Sequence, residues 1–275
     1  MALSKVLLPG ETWHLVVEGY GHTDAAATDS EGNFFFSGRH GDGVFQIDPE
    51  GRVSIFSDHA PGVSGLHLGP DGNLYGTRWE KNDLIVFEPS GNWKILAEAR
   101  RPNDLVMTAQ GRLFFTSAAG VERFISPHLT EVVATGMASP NGISLSPDQG
   151  TVIVSEYAGK HVWAFRVERD GALRYGEPFM TLRVAPEAEH AFGDGATTDV
   201  AGRYYVCSAL GLQMFDETGR ISGVIAKPSS APLANVEFAG RGHRYLYVTC
   251  GGGVYRRLTK TRGAIFNDAL RRLPK

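Results

Sequence analysis

Apolar and polar positions alternate along this chain in short runs broken by glycine turns, and one such run recurs. It appears as "TDAAATDSEGNFFFSG" from Thr23, "VSGLHLGPDGNLYGTR" from Val63 and "PNDLVMTAQGRLFFTS" from Pro102. It returns as "PNGISLSPDQGTVIVS" from Pro140, "GDGATTDVAGRYYVCS" from Gly193 and "ANVEFAGRGHRYLYVT" from Ala234. Each copy reads as an alternating strand, a glycine-containing turn and a second strand ending in Ser, Thr or another small residue. A third strand and a second turn follow most copies, as in "GVFQIDPEGRVSIFSD" and "DLIVFEPSGNWKILAE". The equivalent positions Asp24, Ser64, Asn103, Asn141, Asp194 and Asn235 lie 40, 39, 38, 53 and 41 residues apart. The longest interval carries the extra connections "ERDGALRYGEPF" and "VAPEAEHAFG".

Six units of about four strands predict an all-β chain folded as a six-bladed β-propeller, one domain over residues 1–259. A tandem of sandwiches would not give one recurring unit. The sixth unit ends at "GGVYRRL" without a fourth strand, and the N-terminal "TWHLVVEG" resembles the outer strands "WKILAEA" and "TEVVATG". The N-terminal strand is therefore expected to complete the last blade, which removes an exposed sheet edge. Residues 260–275 fall outside the repeat and are expected to be a tail with a short basic helix.

Composition narrows the picture further. Thirty-four glycines suit a chain of many tight turns, and 42% hydrophobic residues suffice for a sizeable core. A net charge of −3 offers no nucleic-acid surface. No apolar run reaches membrane-spanning length. Two cysteines, Cys207 and Cys250, fit a reduced cytoplasmic protein better than a disulfide framework. The expected partner is a small molecule, with neither nucleic acid nor membrane involved; monomer and dimer both stay open.

The repeat assigns a place to the Asn of "SPNGISLSPDQGTVIVSEY". Its turn lies at Ser146–Gly150, so Asn141-Gly142 does not make it. Asn141 instead starts an innermost strand, as do the five equivalent residues, all on one face around the axis. This ring holds two carboxylates, three amides and one hydroxyl. Oxygen donors of this kind suit a hard cation, Ca²⁺ before Mg²⁺ or Mn²⁺, with Zn²⁺ last. The alternative is that these side chains merely cap neighbouring backbone groups. On the same face the register places His22, Arg39, His40, Arg78, Trp79, Arg101, Glu156, Tyr157 and His190. Arginines there suit an anionic or hydroxyl-rich ligand. His67 is expected in the core and Glu18 on the rim.

At these residues the chain resembles the family of gluconolactonases, senescence marker protein (regucalcin) and luciferin-regenerating enzyme. "RPNDLVMTAQGRLFFTS" is similar to its Asn-Asp signature, "SPNGISLSPDQGTVIVSE" to its Pro-Asn-Gly signature, and "GDGATTDVAGRYYV" to its Asp-Gly motif. "ALGLQMFDETGRISGVI" also resembles lactonase-type members. The resemblance implies a divalent metal, usually Ca²⁺, on the propeller axis. The family's Glu, two Asn and Asp ligands map to Asp24, Asn103, Asn141 and Asp194, and its substrate-side Arg maps to Arg101. Two departures stand out. Asp24-Ala25-Ala26 replaces Glu-Gly-Pro, and "FTSAAGVERF" lacks the usual Asp-Pro loop, which is expected to open one side of the pocket.

The reading that follows is a metal-dependent hydrolase of a lactone or related cyclic ester. The cation polarises the carbonyl, Asp194 is the general base and Arg101 orients the substrate. His22, Arg39, Arg78, Trp79, Tyr157 and His190 are the further substrate contacts, with His22 or His190 able to shuttle protons. Two alternatives remain open at this point: a biosynthetic isomerisation or ring closure on the same metal site, and a non-catalytic propeller that binds a small molecule or Ca²⁺.

Overall fold

Alternation with small or β-branched residues on both faces builds strands, and each glycine turn reverses the chain. A computed structural model describes residues 3–38 and 43–266. Six four-stranded antiparallel sheets, five of them from consecutive strands, stand around one axis as the blades of a propeller. Blade one runs Thr23–Thr28, Phe34–Gly38, Gly43–Ile47 and Val53–Ser57, from the axis outwards. Innermost strands of blades two to six are Val63–Leu68, Leu105–Met107, Pro140–Leu145, Ala196–Thr198 and Leu233–Ala239. No α-helix occurs among the described residues, and no helix there is long and apolar enough to cross a membrane.

Blade six draws its outer strand from the other end of the chain. His14–Glu18 pairs antiparallel with Gly253–Leu258, with His14 opposite Arg256 and Glu18 opposite Gly253. Blade one is then tied to blade six by Thr23, whose N–H reaches the Gly251 carbonyl at 2.7 Å and whose hydroxyl reaches the Gly253 carbonyl at 2.9 Å. Aromatic pairs fill the wedges between blades: Phe34 stacks on Tyr247 at 4.7 Å across the closure, and Tyr205 meets Phe238 edge-on at 5.2 Å. Burying a side chain of that size contributes on the order of 1.5–3 kcal/mol.

The tail differs from expectation in its described part. Residues 260–266 form no helix; they run back under the propeller, where Gly263 bridges to Asp199 and Ala264 N–H donates to the Thr198 carbonyl at 3.0 Å. Ala264 and Phe266 are buried in the core shared by blades three and four. Phe266 also lines the lower chamber of the axial channel, lying parallel to the His67 ring at 6.4 Å. The rest of the predicted helix, 267–275, lies outside the described residues.

Near the axis, a hydroxyl at the end of the second strand joins blades two, three and four each to the next. Thr77, Thr116 and Ser155 accept the N–H of Gly65, Asp104 and Gly142 in their own blades, at 2.8, 3.1 and 2.9 Å. The same three hydroxyls donate to the carbonyls of Asn103, Asn141 and Asp194 in the following blades. In blade six Thr249 accepts the N–H of Asn235 at 2.8 Å. Blade five carries Cys207 at this position, and there the backbone closes the gap itself: Gly195 N–H bonds the Ala234 carbonyl at 2.9 Å. These bonds correct one register assignment. Asn235 stands level with Gly65, Asp104 and Gly142, so Ala234, not Asn235, is the sixth counterpart of Asn141.

The Asn-Gly pair now has a physical reason. A Cβ on Gly142 would come within 2.3 Å of the Asp194 carbonyl oxygen, and one on Gly195 within 2.2 Å of the Asn235 side chain. Thr116→Val should leave the Asp104 N–H and the Asn141 carbonyl without their partner and cost about 1–3 kcal/mol. The measurement is urea unfolding, with a lower midpoint and an unchanged slope. Thr116→Ser should keep most of the stability, whereas Gly142→Ala should lose more than Thr116→Val, because backbone must move to make room.

Candidate functional site

The innermost strands of blades one, two, four and six enter the ring through a bulge, and in blade three both Asn103 and Asp104 bond the Thr116 backbone, so two successive residues meet the axis. In blade one the irregularity spans Asp24 to Ala27, and Ala25 takes a positive φ of 51°. In blade four it spans Pro140 to Ile143. The upper tier of the ring is therefore Asp24, Ser64, Asn103, Asn141, Asp194 and Ala234. The tier beneath it contains Asp104 and Asn235, whose side chains meet at 3.4 Å, Asn235 Nδ2 donating to Asp104 Oδ2. Asp104 escaped the sequence reading because it is the neighbour of the residue in register. The signal available was that "PND" places two oxygen-bearing side chains where the other units place a single one followed by Gly, Ala or Val.

Three carboxylates share this small region, where the charge of Asp24 raises Asp104 and the charges of Asp24 and Asp104 raise Asp194. Burial raises Asp24 to about 7, against the pull of the Ala25 N–H on Asp24 Oδ1 at 2.8 Å. Burial and then the charge of Asp24 raise Asp104 to about 8, opposed by the Leu105 N–H and the Asn235 amide. Asp194 is pushed well above the usual carboxylate range by burial and then by the charges of Asp24 and Asp104. The Gly195 N–H and the Asn141 amide work against that rise. Like charges out of water cannot all stay ionised without a compensating cation.

Asn141 supplies an independent observation. Its Nδ2 serves Asp194, and its buried Oδ1 has no hydrogen-bond partner. A buried carbonyl oxygen left unpaired costs about 1–3 kcal/mol, and a cation or water satisfies it. Among the described residues no three His, Cys, Asp or Glu side chains converge as a metal cluster. A metal here would therefore depend on amide oxygens beside carboxylates, a donor set that fits a hard cation. Asp24, Asp194, Asn141 and Asn103 are the residues available for it.

Asn103 and Asn141 both line a cavity of about 350 Å³ that opens on this face. Trp79, Arg101, the small turn residues Ala118 and Ala119, and Met137 complete most of its wall. The short turn at 117–120 forms part of this wall. Such a volume suits a small ligand.

The other residues assigned to this face divide into two groups. Arg78 is committed elsewhere: its guanidinium forms a buried two-point pair with Asp83 at 2.7 and 2.6 Å and stacks on Trp93 at 4.4 Å. Glu156 is equally committed, accepting from Ala138 N–H, His161 N–H and the Trp163 indole. Of the rest, His22 lies 4.0 Å from Asp24 Oδ2, and Tyr157 and His190 both pack edge-on against Phe192; none of the three lines the 350 Å³ cavity. Arg39 and His40 lie outside the described residues. His67 is half-buried, not a full core residue; its Nε2 is buried without a hydrogen-bond partner, and it faces a chamber of about 20 Å³ that Asp104 and Glu237 also line.

A six-bladed propeller with carboxylates and amides gathered at one end of its axis defines the class of protein. The family model described as the SMP-30/gluconolactonase/LRE-like region matches residues 94–252, and the chain belongs to that family. Its sequence is 27% identical over 257 residues to a gluconolactonase of Zymomonas mobilis, covering 78% of this chain and 72% of that protein. Among solved structures, a gluconolactonase from Xanthomonas campestris superposes with a TM-score of 0.81 at 21% identity, over 94% of this chain and 93% of that one. Regucalcin from Agrobacterium tumefaciens, a calcium-binding protein, gives 0.76 at 16% identity, over 96% and 98%. These structural likenesses establish the fold.

The raised carboxylates fix the sign of the pH dependence. Between about pH 4 and 8 the cation-free folded protein holds protons that the unfolded chain has released, so its stability falls as pH rises. With a chelator present, the melting temperature should drop from pH 5 to pH 8. Millimolar Ca²⁺ should restore it, with the larger increment at pH 8, where protons compete least. Equal melting curves with Ca²⁺ and with chelator at pH 8 would remove the cation from the site.

Proposed function

We propose that this protein is a divalent-cation-dependent hydrolase of lactones or related cyclic esters. The observation that carries this reading is the juxtaposition of raised carboxylates with the unpaired Asn141 Oδ1, beside a cavity that also holds Arg101. Membership of the gluconolactonase-like family and the Zymomonas mobilis relative support the same chemistry.

Asp24, Asn103, Asn141 and Asp194 would hold the cation, with Ca²⁺ the best match to their oxygens. When bound, it supplies Lewis-acid polarisation of the ester carbonyl and lowers the charge repulsion among the carboxylates. The chain's own groups do the rest. Asp194, held by the Asn141 amide and the Gly195 N–H, accepts a proton from the attacking water as the new C–O bond forms. The ester C–O bond then breaks, and the proton passes to the departing ring oxygen, so the product is a hydroxy acid. Arg101, which lines the cavity together with Asn103 and Asn141, orients the substrate. His22, close to Asp24, is suited to exchange protons with solvent. Two free, buried cysteines suit a reducing, cytoplasmic setting.

The test is a pH-stat assay over a panel of aldonolactones with and without chelator. Wild type should turn over at least one member, and the chelator should abolish the rate. Asp194→Asn keeps an oxygen donor, so it should retain part of the cation affinity while losing about 10²–10⁴-fold in kcat. Asp194→Asn turning over at the wild-type rate would remove it as the base. Asp24→Glu restores the longer arm of the family pattern and should bind Ca²⁺ at least as tightly, read by calorimetry. Cation binding with no turnover on any lactone would favour a non-catalytic calcium-binding propeller instead.

A further inference from the structure

One turn of blade two fixes both ends of Arg101. The turn begins at Arg78, locked to Asp83, and continues through Trp79 to Asn82. Asn82, itself at a positive φ of 59°, accepts the Arg101 N–H on Oδ1 at 3.0 Å and the Ala99 N–H on its carbonyl at 2.9 Å. That pair of bonds holds Arg101 at a φ of 49°, a conformation a non-glycine residue adopts only when its surroundings impose it. At the other end the guanidinium lies over the Trp79 ring, 4.7 Å from its centroid. Trp79 is in turn held by its own N–H, which donates to Ser64 Oγ at 3.3 Å.

Arg101 has no ion-pair partner among the described residues, unlike Arg78 beside it. It is also the one charged side chain among the described residues lining the 350 Å³ cavity. Stacking on an indole covers one face of the guanidinium and leaves its edge of N–H donors pointing outward, in the fork that matches a carboxylate. A hydroxyl could use one of those donors; a carboxylate uses two and neutralises the charge. Asn141 and Arg101 line the same cavity, so a ligand can engage the carboxylate-and-amide cluster and the fork together.

We propose that Trp79 is a positioning residue for Arg101, and that together they select a lactone bearing a carboxylate away from the ester over the same lactone without it. This deepens the lactonase reading and rests on it. A suitable pair is glucaro-1,4-lactone and glucono-1,4-lactone, which differ by a carboxylate in place of the terminal hydroxymethyl group. Wild type should favour the carboxylate by at least about tenfold in kcat/KM, the discrimination a charge-assisted two-point contact supplies. Arg101→Met should abolish the preference, and Arg101→Lys, which keeps the charge and loses the fork, should recover only part of it. Trp79→Leu should raise KM for the carboxylated lactone several-fold more than for the neutral one, with kcat much less affected. Trp79→Phe, which keeps an aromatic face, should recover most of the loss.

Equal kcat/KM for the two lactones in wild type would overturn the proposal, as would Trp79→Leu weakening both substrates by the same factor. If neither lactone is hydrolysed, it is the lactonase reading that fails. The selectivity is then judged by calorimetry with D-glucarate and D-gluconate on the Ca²⁺-loaded protein. Tighter glucarate binding that depends on Arg101 and Trp79 upholds it, and equal affinities overturn it.

Discussion

The geometry at the axis depends on one contact, the hydroxyl that ends the second strand of a blade and ties its neighbour to it. Thr77, Thr116 and Ser155 each hold an N–H of their own blade and a carbonyl of the next. The carbonyls they hold belong to Asn103, Asn141 and Asp194, the residues with most to do with the site. A bulged strand entrance has backbone groups that the sheet ladder no longer satisfies, and these must find partners once buried. The hydroxyls provide them, so the same bonds that join the blades also set the direction of the functional side chains. Blade five shows the constraint by exception. With Cys207 in place of a hydroxyl, the boundary closes through a direct backbone bond, and only glycine at 195 lets the Asn235 side chain come so near.

This dependence explains what could be read from the chain and what could not. Blade number, the borrowed outer strand and the inward position of Asn141 were legible, because each rests on a pattern repeated six times. Asp104 was not, because the strand entrance brings two consecutive residues to the axis, while a strict alternating reading allows one. The position of Asn235 was misjudged by one residue for a related reason. Its hairpin has longer arms, pairing from Val236 opposite Val248 to Ala239 opposite Tyr245, so the spacing across that hairpin does not report its register. Arg78 looked like a ligand contact from its position alone; its commitment to Asp83 depends on a tight turn folding the two together, and only the folded chain displays it. The cavity wall formed by Trp79 and Arg101 joins two blades, a proximity no local pattern encodes.

Burial then decides the electrostatics. Phe266 lines the lower chamber of the channel, where His67 and Glu237 are half-buried and burial raises Glu237 to about 7. The axis is thus a low-dielectric shaft. In such a medium carboxylates repel more strongly than they would at a surface, and hydrogen bonds to them matter more. The ring gives each of them a backbone N–H or an amide, and among the described residues no cationic side chain is hydrogen-bonded to Asp104 or Asp194. An arginine in their midst would neutralise the same charge permanently and leave nothing for an exchangeable cation. Neutral amides hold the acids in place while preserving their demand for one.

The turn at 78–82 shows how the fold separates two tasks carried by one residue type. Arg78 and Arg101 both stack on tryptophans, on Trp93 and Trp79 respectively. Arg78 also has a buried carboxylate, so its charge is spent within the blade and its contribution is to the rigidity of the turn. Arg101 has the same aromatic support without the carboxylate, and its charge remains directed at the cavity. The difference lies in which residue comes five positions later: Asp83 follows Arg78 across its hairpin, whereas Val106 follows Arg101 within a strand. A rigid, charge-satisfied turn can therefore hold an unsatisfied arginine in a strained backbone conformation, because the cost of holding it is met in blade two and not by the ligand.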